Sequence, residues 1–260
     1  KVSGDADSLG LVGNADRTDS SAAFNVTDSF WDVDTSELGT TGTDAVGAKG
    51  LSTASMQNPD TFTAAGWDLT SGTGDWIMLT GVTYPRLLAL AFGGGEGTAE
   101  TPHLIDHWEH LDSVRLDLDA QFKLTRDLNQ FSPGYVTHVK NGASLVDGGK
   151  GWQPIGSPGT SFTGSFDGNE LSISDLIIKR DTENSIGIFS SIGASGTVKD
   201  LNVVALEVTG GQSTGGLAGF NQGTVMDVTV QGAVTGSNGS TGGVVGFNST
   251  GGQLSKVGFD

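Results

Sequence analysis

The sequence predicts an all-β protein: a parallel β-solenoid with short capping helices and an aromatic-rich closing segment. The first observation behind this is a repeat. Gly215-Gly216-Leu217-Ala218-Gly219-Phe220-Asn221 recurs as Gly242-Gly243-Val244-Val245-Gly246-Phe247-Asn248, and Gly187, Gly216 and Gly243 mark a nearly constant period. That period is too long for a meander of equal strands and carries no helical 3.6 pattern. It fits one solenoid coil of two or three short strands. The second observation is a series of short aliphatic and β-branched runs, each followed by Gly, Asn or Ser. The third is composition: Gly is 42 of 260 residues without a G-X-Y period, Pro is only 6, and apolar residues are 35%. A thin core repeated many times suits that mixture.

Taken in order, Ser8-Leu9-Gly10-Leu11-Val12-Gly13-Asn14 is a further copy of the block, lacking the Phe before Asn14. With the numbering run on from Asp260 to Lys1, Gly10 falls one further period after Gly243. Residues 27–90 read as a closing element. Asp28 to Asp32 ends the repeats, residues 51–57 suit a small capped helix, and Trp67, Trp76, Tyr84 and Leu87 supply large apolar surface. These aromatics suit a plug on a solenoid end. Residues 93–97 form a Gly-rich junction. Asp106 and Glu109 have capping-box spacing, which predicts a helix over about 107–114 that covers the open first coil. Beyond it, Phe162 to Asn169 predicts a strand running into an Asp-Gly turn. Residues 171–178, 186–189, 198–203, 225–230 and 233–236 predict further strands of about four to six residues. Leu217, Val244 and Leu11 are expected to lie over one another inside, and Asn221 and Asn248 to form an amide ladder.

Charge and motifs exclude several functions. The net charge is -17, from 30 acids and 13 bases. Nucleic acid is therefore not an expected partner, because phosphate binding needs clustered Lys and Arg. Without cysteine there are no disulfides or thiolate metal sites. No apolar run approaches the ~18 residues that span a bilayer, so no membrane insertion is expected. The first residue is Lys1, and an export signal is expected to lie outside these residues. His107-Trp108-Glu109-His110 lacks the spacing of a zinc-protease helix, and Pro102 and Asp106 argue against a helix that would gather His103, His107 and His110. There is no G-x-S-x-G elbow and no phosphate loop. No catalytic residue is expected and the chain is read as no enzyme. No cofactor is expected apart from Ca²⁺, for which Asp5, Asp7, Asp16 and Asp19 are weak candidates, followed by Asp32 and Asp34. Asn25, Asn238 and Asn248 head glycosylation sequons.

The Gly-Leu-Ala-Gly-Phe-Asn and Gly-Val-Val-Gly-Phe-Asn blocks resemble the GLUG motif of repeats in large secreted bacterial adhesins, which also occurs beside some IgA-cleaving metallopeptidases. Residues 97–105, 151–156 and 162–169 are similar to the entry and first coils of such repeats. The stretch from Ser29 to Leu87 resembles the segment after the last coil, so the resemblance covers most of the chain in permuted order. The resemblance implies a right-handed parallel β-helix and an extracellular or cell-surface adhesive role, with no catalytic residues to carry over.

These readings give residues 1–90 as the last coil and closing segment of one solenoid module, and residues 91–260 as the capping helix and first coils of the next. The expected function is that of a structural module in an extracellular fibre or adhesin, assembling head to tail with neighbouring copies of itself. Unpaired N–H and C=O groups of one coil pair with another copy, and Leu9, Leu11, Val12, Val244, Val245, Leu254 and Val257 bury the apolar part of the contact. The competing reading is a carbohydrate-binding β-helix module that engages surface glycans through Trp31, Trp67, Trp76 or Trp152. In a third arrangement, residues 1–26 stack on the chain's own last coil and close a monomer.

Overall fold

A computed structural model describes residues 27–36, 48–70, 74–140 and 149–260. The chain divides into two compact units, Lys1–Leu88 and Ala89–Asp260.

In the first unit, strand β1 (Phe30–Asp32) leads into helix α1 (Val33–Ser36) and pairs in parallel with β2 (Lys49–Leu51). Helix α2 (Thr53–Met56) is capped by Ser52, whose hydroxyl accepts the Ser55 N–H, as a Ser N-cap should. Asn58 caps α3 (Pro59–Thr63), with Pro at the first turn where its missing N–H costs nothing. A short antiparallel pair, β3 (Trp76–Ile77) and β4 (Arg86–Leu87), follows. Phe30, Phe62, Trp67 and Trp76 form a continuous aromatic chain with ring centroids 4.2–5.3 Å apart. Asp32 ties the unit together. Its carboxylate accepts from the amides of Asp34 and Thr35, from the Thr53 hydroxyl at 2.6 Å and from the Tyr84 hydroxyl.

Helix α4 (Leu88–Ala91) opens onto the second unit, a β-solenoid of about three turns. Its first strands are β5 (His103–Ile105), β6 (Gln121–Leu124), β7 (Ser165–Asp167), β8 (Ser172–Ser174) and β9 (Ile177–Arg180). Between β5 and β6 lies helix α5 (Trp108–Ser113). Three regular coils follow. They comprise β10 (Phe189–Ile192) with β11 (Thr197–Gly210); β12 (Thr214–Gly215), β13 (Ala218–Asn221) and β14 (Thr224–Gly236); and β15 (Thr241–Gly242), β16 (Val245–Asn248) and β17 (Gln253–Phe259). All pairings between these strands are parallel. Thr214 faces Thr241, Ala218 faces Val245 and Thr197 faces Thr224, each partner one repeat period further along the chain. The parallel solenoid expected from the repeat is the observed fold.

Two local expectations need correction. The strands of the regular coils are not all short. β11 and β14 run for 14 and 13 residues because the chain bends without leaving the ladder. Asp200, Asp227 and Lys256 occupy the same corner of successive coils with φ of 53°, 51° and 51°, and a second bend at Ala205 (φ 53°) shifts the register between Val203 and Leu206. The expected strand into the Asp167-Gly168 turn is present, with the strand shortened to β7. Asp167 Oδ1 accepts the Asn169 N–H, Asn169 and Glu170 take positive φ, and the chain continues around the coil to β8. Finally, the N-cap of α5 is His107, which makes no side-chain capping bond. Asp106 instead faces His107 and His110, and Glu109 pairs with His138.

The core is a stack of inward columns. Ile188 and Leu217 are fully buried above Val244, and the Leu217 N–H donates to the Val244 carbonyl at 2.9 Å. Phe166, Val198 and Val225 form another column, and Leu201 with Val228 a third. The glycine that precedes the inward aliphatic residue of each block makes room for this thin core. A Cβ on Gly216 would meet Val230 at 2.7 Å, and one on Gly243 would lie 2.1 Å from the Phe259 ring.

Candidate assembly edge

The two ends of the solenoid differ. At the first end, the outer side of β5 is already paired: the Gly93 N–H donates to the Leu104 carbonyl and the Leu104 N–H to the Gly94 carbonyl. Phe92 stacks on His103 with centroids 4.0 Å apart. Helix α5 buries Trp108 and Leu111 completely, and Trp108 Nε1 donates to the Asn129 carbonyl. Arg115 holds this cap to the next layer. It donates to the carbonyls of Gln153 and Pro154 and lies 5.3 Å over the Trp152 ring.

At the other end, all three coil faces stop together. β15, β16 and β17 are the last strands of their sheets among the described residues. The inward columns therefore continue to the surface. Leu254 stacks on buried Val225 but is 42% exposed, and Phe259 stacks on buried Val230 but is 51% exposed. Val257, over Val228, is half-buried. These are core positions by register that no further coil covers among the described residues. Of the residues expected to make the contact, Val244 is buried, Val245 is half-buried, and Leu254 and Val257 lie on the edge. Leu9, Leu11 and Val12 lie outside the described residues, as do Asp5, Asp7, Asp16, Asp19 and Asn25.

Two side-chain ladders end on the same edge. Asn221, fully buried, donates from Nδ2 to Asn248 Oδ1 at 2.7 Å, and its Oδ1 accepts the Gly223 N–H. Asn248 Nδ2 donates to the Gly252 carbonyl at 2.9 Å. The amide ladder expected from the repeat is thus formed through the Asn248 Oδ1, while Asn248 Nδ2, the atom that a glycan would use, donates to its own turn at Gly252. Asn238 is exposed in the turn before β15. Phe220 and Phe247 stack at 5.5 Å with ring planes 8° apart, leaving Phe247 44% exposed. The corner at Asp200, Asp227 and Lys256 is charged. Lys256 pairs with Asp227 at 3.1 Å, while Lys199 bridges Asp200 and Asp167, which holds its ammonium above the usual lysine range.

Phe259 and Phe247 escaped the sequence reading of the edge. Phe259 follows inward Val230 by slightly more than the glycine period, so that period does not bring the two into register. Among the tryptophans considered for sugar binding, Trp31 and Trp152 are buried, and Trp67 and Trp76 pack on each other. The histidines also diverge from expectation. His103 stays apart in β5, but His107 and His110 approach with ring centroids 3.6 Å apart, both facing Asp106.

This geometry defines a β-solenoid repeat unit with one sealed end and one end whose last strands have no further neighbour among the described residues. No family model matches the chain. It is similar, at 38% identity over 120 residues, to a protein of Evansella cellulosilytica whose name describes a Gly-rich membrane protein. It is similar, at 35% identity over 128 residues, to halomucin of Haloquadratum walsbyi. These matches cover 45% and 48% of this chain but only 13% and 1% of the two relatives, so the chain spans a small part of either. No solved structure matches.

Proposed function

We propose that this chain is a structural repeat module of a cell-surface or extracellular protein, with no catalytic role, which extends by adding a coil to its open edge. The single observation that carries this reading is that Leu254 and Phe259 are exposed, and Val257 half-buried, at positions whose register partners in the two preceding coils are all buried. Burying them under another strand layer gains about 25 cal/mol per Å² of apolar surface, and the outer backbone groups of β17, which no strand pairs among the described residues, gain ladder partners.

The occupant with the best chemistry is the block at residues 8–14 of a second copy. It carries Leu9, Leu11, Val12 and Asn14, and it falls in phase with the repeat when the numbering runs on from Asp260. A tail edge that accepts a different surface of the next copy does not close, and propagates as a filament. The GLUG resemblance and the two relatives, one named as a membrane protein and one as halomucin, support a surface setting.

Negative-stain electron microscopy and sedimentation of the purified protein test the reading. Head-to-tail addition predicts filaments or concentration-dependent oligomers. These are lost in a Leu254→Lys, Val257→Lys double variant that keeps the parent's circular dichroism. A monomer at all concentrations, with Leu254 protected because residues 1–26 fold back on it, would replace the fibre with a closed module.

A further inference from the structure

Outside the edge, one side-chain cluster stands in the cap. We propose that Asp106, His107 and His110 form a mononuclear site for a divalent transition-metal ion of the zinc class, held by two imidazole nitrogens and one carboxylate oxygen. The three ligand atoms lie within 4.8 Å of one another. Asp106 Oδ1 is 2.5 Å from His107 Nδ1 and 2.9 Å from His110 Nδ1. Bonds of about 2.0–2.1 Å at tetrahedral angles separate ligand atoms by roughly 3.3 Å, so each of these two oxygen–nitrogen pairs opens by less than about 1 Å to take an ion, while the two imidazole nitrogens start no more than 4.8 Å apart.

The local fold explains the convergence. His107 is extended (φ −157°) and precedes the first turn of α5, while His110 lies one turn on, so both rings close on the carboxylate that ends the β5 connection. Glu109 points away to His138 at 2.8 Å and does not compete.

A second, separate feature marks the point as a ligand position. His110 is only 7% exposed, and its Nδ1 lies close to Asp106 Oδ1 without the alignment of a hydrogen bond. A buried polar atom without a well-formed bond is costly unless something occupies its lone pair. The side chains of His107 and Asp106 are 27% and 40% exposed, which admits an ion and leaves a water at the fourth position. Two nitrogens and one oxygen suit Zn²⁺, Co²⁺ or Cu²⁺, whereas Ca²⁺ demands six or more oxygens. An ion here links the end of β5 to α5, clamping the cap that seals the solenoid.

Untagged protein stripped with chelator is titrated with ZnCl₂ by calorimetry at pH 7.5, and with CoCl₂ while visible absorption is recorded. The expected result is one Zn²⁺ per chain, a rise in the thermal midpoint and a Co²⁺ d–d band. His107→Ala and Asp106→Asn alter partly exposed side chains and should keep the circular dichroism. Each should weaken binding by at least the ~10–100-fold that loss of even an outer-shell partner costs, and abolish the band. No saturable Zn²⁺ uptake overturns the proposal. So does one-site binding of unchanged affinity in both variants, or an equal affinity for Ca²⁺.

Discussion

Asn221 is the residue on which one corner of the coil stack rests. It is fully buried, and its amide satisfies its own turn at Gly223 while reaching the next coil at Asn248. Asn221→Ala leaves the Gly223 N–H without this acceptor, so we expect a loss of about 1–3 kcal/mol in urea denaturation. Exposed Asn248→Ala should cost under about 1 kcal/mol, since water replaces its bonds. Equal losses would show that the shared ladder bond, and not the stranded Gly223 N–H, sets the cost. Asp32 plays the corresponding part in the first unit. Burial pushes its carboxyl up, but the hydrogen bonds from Thr53, Tyr84 and the Thr35 and Asp34 amides outweigh this and hold it below the usual carboxylate value. A lowered folded pKa contributes stability that is present above the unfolded value of about 3.9 and is lost as pH falls through the folded value. Tryptophan fluorescence of the first unit should therefore change on acidification below about pH 4. In Asp32→Asn the unit should be weaker at neutral pH and lack that acid-dependent loss. An acid transition identical in both proteins would remove Asp32 from this role.

At the scale of elements, close approach of coils decides which glycines are replaceable. A Cβ on Gly219 would lie 2.2 Å from the Ser185 carbonyl carbon, a backbone atom that has no room to move, whereas one on Gly159 meets nothing within 4 Å. Gly219→Ala should cost about 1–3 kcal/mol or more by overpacking, and Gly159→Ala should be close to neutral. Thermal midpoints of the two variants check the pair, and a tolerated Gly219→Ala would mean that the coils are more loosely stacked than described. The glycine blocks made this packing visible in the sequence. The corner at Asp200, Asp227 and Lys256 was not visible, because a single Asp or Lys inside an aliphatic run, with no Gly or Pro beside it, does not announce a turn, and the neighbouring coils impose the bend. The cap of α5 was misread for a related reason. The spacing of Asp106 and Glu109 satisfies a capping box, but histidines placed by tertiary packing draw both carboxylates elsewhere.

For the solenoid as a whole, the contrast between its ends governs association. The sealed end has a paired strand, a helix and buried aromatics, while among the described residues the other exposes core positions. The net charge of -17 makes like copies repel. If an apolar edge and ladder hydrogen bonds drive association, salt should promote it. The Debye length falls from about 30 Å at 0.01 M to about 3 Å at 1 M, which removes repulsion without touching the buried contact. Light scattering across that range should rise. A fall would identify ion pairs, such as those around Lys256 and Asp227, as the driving contact instead.

The repeat by itself determined the parallel solenoid, the inward column through Leu217 and Val244, and the Asn221–Asn248 ladder, because a constant period leaves one way to stack identical side chains in register. Only the tertiary structure decided which core positions remain uncovered and which histidines meet. Exposure of Leu254 depends on whether another coil lies over it, and the approach of His107 to His110 depends on how β5 delivers the chain into α5. Both are relations between residues and their neighbours in space, which local pattern and spacing do not encode.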